Sequence, residues 1–182
     1  MAQSAPCQIS GDATPAGFDF ARLKGTNINP ATGLATDYLN HFNEAIMLLE
    51  MLPSAPECKE DFLAWRPMSY REHFLASSFG HRDLAITAYE AVDPAYRRRL
   101  DEVADQMSKI LIATHDGMKG DLAPDTMRIL AEATTRWLRP LVARAGAVIN
   151  GEPISTKTSD DSAPQDAIDL LFDNVVDAVP RA

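Results

Sequence analysis

The side chains best suited to chemistry are four histidines, His41, His73, His81 and His115, each beside an apolar seam on a predicted helix. In a helical bundle, residues on facing helices converge on a shared centre. His41 and Glu44 stand one turn apart, and Asp37 one turn earlier. Neutral imidazoles beside ionised carboxylates are the donors of an iron or zinc site, with ligands about 2.0–2.2 Å from zinc. The candidate metal ligands are therefore His41, Glu44, His73, His81 and His115. The set is incomplete as a motif, because neither Glu-x-x-His nor His-Glu-x-x-His occurs. On one ideal helix His73 and His81 would also point roughly 80° apart. The plainer expectation is four separate histidines at helix edges, each hydrogen-bonded to a neighbour or to water. Of these, His81, next to Ser77, Ser78 and Gly80, is expected in a small buried polar pocket.

Arg97-Arg98-Arg99 is the basic run; Asp101 and Glu102 stand one turn on, so the expected state is a solvated, charge-paired face. No Ser/His/Asp or Cys/His arrangement stands out from spacing. No glycine-rich phosphate loop is expected either, since no strand precedes one.

The elements that must hold these residues read as helices throughout. Tyr38, Phe42, Ala45, Leu49 and Leu52 recur at three- and four-residue steps, so the first strong helix spans about Thr36 to Leu52, capped by Thr36 or Asp37. A short helix follows from about Pro56 to Trp65. Ser69-Tyr-Arg-Glu72 is a capping box opening a helix to about Ala91, which Gly80 is expected to kink or break. Asp93-Pro94 restarts the chain as a cap and a first-turn proline, and that helix closes at Gly117 or Gly120. Pro124 opens the last helix of the body, with a kink expected at Pro140 and a stop at Asn150-Gly151. The fold class is thus all-α, a bundle of four to five main helices over residues 18–150, with Trp65 and Trp137 helping to fill it. A flexible arm is expected over residues 1–17.

With 46% hydrophobic and 24% charged residues in 182, the body can bury a substantial core. The net charge is −9, and residues 151–182 hold seven acids against Lys157 and Arg181. That leaves the rest of the chain mildly acidic, which disfavours nucleic acid and anionic membrane surfaces, since both select clustered cations. Cys7 and Cys58 form no disulfide framework. The opening Met-Ala-Gln-Ser-Ala-Pro lacks the charge and apolar run of a secretory signal, and Ala45–Leu49 is too short to span a bilayer. The expected setting is cytoplasmic, with reduced thiols.

Behind a polar acidic linker, residues 151–163, lies one more helix pattern, residues 164–180. Ile168, Leu171, Phe172 and Val175 fall on one face and Asp166, Asp169, Asp173 and Asp177 on another. So short an amphipathic helix is marginal in water unless docked. It either folds back on its own bundle or lies in a groove of another protein, with those four apolar residues as anchors. Gln165-Asp-Ala-Ile-Asp-Leu-Leu171 resembles the acidic segments with which a flagellar motor switch protein and a chemotaxis phosphatase dock onto a response regulator. The paired leucines here are displaced by one residue. In the phosphatase the segment is also C-terminal behind a linker on a helical body, so the resemblance implies a response-regulator partner. It also implies an acid and an amide four residues apart on a helix. The nearest pairs are Asn40 with Glu44, in reversed order, and Glu102 with Gln106, and neither reproduces the family's pattern.

The leading expectation is therefore a non-catalytic interaction protein that binds another protein through its C-terminal helix and carries no cofactor. The alternative is a His/carboxylate bundle holding iron or zinc, with or without enzymatic activity. A third is a small-ligand pocket between helices. Oligomeric state is not legible.

Overall fold

Aspartate, serine and proline set where the helices begin. In the computed structural model, which describes residues 18–152, Asp19 accepts from the Ala21 amide to open a 3₁₀ turn, Phe20–Leu23. A second 3₁₀ turn, Thr36–Tyr38, leads into α1, Leu39–Met51. Then come α2 (Cys58–Ala64), α3 (Tyr70–Ala76), α4 (Arg82–Ala91), α5 (Pro94–Met118) and α6 (Pro124–Asn150). No strand occurs among the described residues; Ile28 and Ala35 make one isolated antiparallel bridge. The all-α bundle is thus as expected. The arm 1–17, all of the linker beyond residue 152 and the segment 164–180 lie outside the described residues.

Two boundaries differ from the sequence pattern, the start of α1 and the end of α5, which runs through Gly117 to Met118 with Lys119 at its cap. Neither Thr36 nor Asp37 caps α1: the chain enters through the 3₁₀ turn, Tyr38 stands at the cap position, and no side chain accepts there. The long third pattern is broken around Gly80, as the sequence suggests, into α3 and α4. Ser69 and Glu72 form the capping box of α3, but α3 stops at Ala76. The Ser77 hydroxyl donates to the Phe74 carbonyl and accepts from the Phe79 amide, turning the chain before Gly80. α4 restarts at Arg82.

α5 and α6 form an antiparallel hairpin, with Leu100, Met107 and Leu111 facing Leu130, Leu138 and Val148 in one core. Inside it the Thr114 and Thr134 hydroxyls lie 2.9 Å apart, and each also bonds a carbonyl four residues back. The pair is buried but satisfied, so it carries little penalty. α6 runs on through Pro140, which is exposed. α1 packs against α6, with Leu39 reaching Gly146 and Arg139 pairing with Glu50. α2 bridges α1 and α5, and α3 packs on α4.

The loop before α1 ties the bundle's ends together. Gly33 adopts φ +63, and a Cβ there would stand 3.0 Å from the Ala88 carbonyl oxygen, so glycine is required twice over. Beside it the Thr32 hydroxyl donates to the Ile149 carbonyl at 2.6 Å. α6 then ends on Gly151 at φ +71, where the amides of residues 151 and 152 return to Val148 and Ala147.

Candidate functional site

The first turn of α1 and the connector after α2 build the chemically richest place in the body. His41 is only 3% exposed. Its ring stacks on Trp65, with centroids 4.7 Å apart and planes 20° apart. Trp65 ends α2 and donates its indole N–H to the His41 carbonyl at 3.1 Å, so stack and bond fix each other. His73, from α3, brings its ring centroid to 6.0 Å from that of His41. Tyr38 packs edge-on to His73 and donates its hydroxyl to the Met68 carbonyl at 2.9 Å.

Among the described residues, two buried side-chain atoms here have no hydrogen-bond partner, His41 Nε2 and Asp37 Oδ2. Such a group costs about 1–3 kcal/mol and in a folded protein points to strain, a water or a ligand. The electrostatics agree with the burial. Loss of solvent pushes the His41 imidazole down to about 4, His73 adds to that shift, and the Arg66 backbone opposes it. His73 is also lowered, chiefly by burial, against the raising effects of the Asp37 backbone and the Asp37 and Glu44 charges. Both imidazoles are therefore neutral at pH 7, able to donate through one nitrogen and accept through the other.

The five metal candidates fall in three places. His41 and His73 are neighbours, and Glu44 lies on the exposed side of α1 next to them. His115 sits instead at the end of α2, with Nε2 2.9 Å from the Leu63 carbonyl and 3.2 Å from Arg66 Nη1. His81, expected in a buried pocket, is exposed: the break after Ala76 takes it off the seam a continuous helix would have followed. Among the described residues no three His, Cys, Asp or Glu side chains converge at metal-ligand distance. Of the pairs four residues apart, Asn40 and Glu44 are both exposed, while Gln106 is half-buried beside an exposed Glu102.

Sequence reasoning missed a second polar centre. Tyr89 donates its hydroxyl to both carboxylate oxygens of Asp101, at 2.7 and 2.8 Å, and stacks flat on Tyr70 at 4.4 Å. Tyr70 in turn accepts from the Ala35 amide at 2.9 Å. Burial raises Asp101 above the usual carboxylate range; the Tyr89 bond lowers it and the Asp105 charge raises it again. Burial likewise raises the hydroxyls of Tyr38, Tyr70 and Tyr89, which stay protonated. The available signal was four tyrosines, two of them in this network, but their hydrogen-bond partners lie 35 and 12 residues away.

Ile168, Leu171, Phe172 and Val175 lie outside the described residues. No described helix is long and apolar enough to cross a membrane. No protein-family model, curated protein or solved structure matches the chain.

Proposed function

We propose that this chain is a non-catalytic interaction protein, a helical body that presents residues 164–180 to a groove on another protein. The observation that supports this is the way α6 ends. Gly151 turns left-handed, its amide and that of Glu152 return to the last turn, and Thr32 takes the Ile149 carbonyl. The carbonyls of Ala147, Val148 and Ile149 are thus met from within the body, and the chain leaves it at a defined stop. The apolar stripe begins at Ile168, sixteen residues beyond Glu152, among the acids Asp166, Asp169, Asp173 and Asp177. By resemblance of Gln165–Leu171, a response-regulator receiver domain is the first partner class to try.

The test uses the intact chain. Ile168, Leu171 and Phe172 are replaced together by alanine, and captured proteins from native lysate are compared with those of the unaltered chain. A partner held by the unaltered chain, lost by the triple variant and released by a synthetic 162–182 peptide supports the reading. A partner held equally by both chains defeats it.

A further inference from the structure

Between α1 and α2 lies a cleft of about 540 Å³, inside the range of roughly 300–1,000 Å³ that small-molecule sites occupy. Met47, Leu48, Trp65 and Met68 supply the apolar part of its lining, beside charged and polar side chains. Met47 is 52% exposed although it stands at the lip of a core helix. Unbranched, polarisable methionine suits a wall that must fit a guest. His41 also lines it, buried and stacked on Trp65, and its Nε2 has no hydrogen-bond partner among the described residues.

The charges on the lip choose the guest. Glu44 and Asp61 line the cleft from two helices, both exposed, and neither has an ion-pair partner among the described residues. Arg66 is the cation present, and its Nη1 is turned to the Leu63 and Trp65 carbonyls at 2.6 and 2.7 Å. It serves the C-terminal end of α2, where a cation belongs. The lip is therefore left with negative charge in excess and a hydrogen-bonding imidazole beyond it.

We propose that this cleft binds a small organic ammonium ion, its charge between Glu44 and Asp61, its apolar body along Met47, Leu48 and Met68, and a hydroxyl or amide reaching His41. An anion is refused by the two carboxylates. A purely apolar guest leaves His41 unsatisfied. The site is built from residues 41–68 of the body, so its test is separate from that of the tail.

Tyramine carries all three features and is the probe. Phenethylamine lacks the hydroxyl, and 4-hydroxyphenylacetate replaces the ammonium by a carboxylate. Binding to the full chain is measured by calorimetry, with the Trp65 indole and His41 imidazole signals followed by NMR. The expected order is tyramine tightest, phenethylamine weaker, and 4-hydroxyphenylacetate weaker than tyramine by about tenfold or more, equivalent to about 1.4 kcal/mol. E44Q/D61N changes two exposed residues and should weaken tyramine by about tenfold or more, with an unchanged urea midpoint as the check on folding. H41F should erase the preference for tyramine over phenethylamine. Absence of saturable tyramine binding, equal binding of the carboxylate, or an unchanged affinity in E44Q/D61N each overturns the proposal.

Discussion

His41 takes its acid–base character from its surroundings. In the unfolded chain it titrates near the ordinary 6.5, whereas in the folded protein burial and His73 bring it to about 4. Above pH 6.5 both states hold it neutral and it contributes no pH dependence. Between 6.5 and 4 the unfolded state binds a proton that the folded state refuses, so stability falls as pH falls through that window. The slope is about 1.4 kcal/mol per pH unit, up to roughly 3 kcal/mol in all. His73 works in the same direction, while Asp101, raised in the fold, works in the opposite one. Phenylalanine at position 41 keeps an aromatic ring on Trp65 and removes the proton site. We predict that H41F loses about 1–3 kcal/mol less stability than the unaltered protein when urea melts at about pH 7 and about pH 4.5 are compared. An identical loss in both would show that His41 is not refusing a proton. The histidine itself was legible in the sequence, because it sits on the seam of a strong helix. Its stack on Trp65 was not, because that contact joins residues 24 positions apart and no local pattern encodes it.

At the scale of elements, the most readable features were those made by neighbours in the chain. The capping box at Ser69, the Asp93-Pro94 start and the Gly151 stop each work within a few residues, and each lies where the sequence places it. The break near Gly80 was legible as a weakness, but the turn that uses it, closed by the Ser77 hydroxyl, depends on what α3 and α4 pack against. Asp37 shows the same limit. As a short polar residue before an apolar run it reads as a cap, yet the 3₁₀ turn Thr36–Tyr38 carries it past that position and buries one oxygen. The join between the Thr32 loop and α6 spans 117 residues and could not be foreseen. Thr32 is fully buried, and its hydroxyl is the partner of a helix-end carbonyl. Valine keeps its shape and leaves that carbonyl unmet. T32V should therefore cost about 1–2 kcal/mol in chemical denaturation at neutral pH. A change below about 0.3 kcal/mol would mean water replaces the hydroxyl without loss.

Over the whole molecule, the decisive question is whether residues 18–152 are thermodynamically complete. Their core runs from Leu23 in the first turn to Ile149 at the end of α6, and the two ends meet at Thr32. The carbonyls of Ala147, Val148 and Ile149 are answered by Glu152, Gly151 and Thr32, and the exposed Asn150 faces solvent, so the termination is made from within residues 18–152. A chain ending at Glu152 should then unfold cooperatively, with a urea midpoint and slope like those of the full protein and a stability within about 0.5 kcal/mol, since slope follows the surface exposed on unfolding. Charge is the complicating term. Residues 153–182 carry six acids and two bases, and removing them relieves part of the net −9. Self-repulsion of that kind is long-ranged and vanishes in about 1 M salt, where the Debye length is about 3 Å. Packing is short-ranged and survives. The comparison is therefore made at low salt and at about 1 M. A gain in stability that disappears with salt is the tail's charge. A loss of about 2 kcal/mol or more with a smaller slope, persisting in salt, would mean that Ile168, Leu171 and Phe172 belong to the core, and the interaction role proposed for them would then fall.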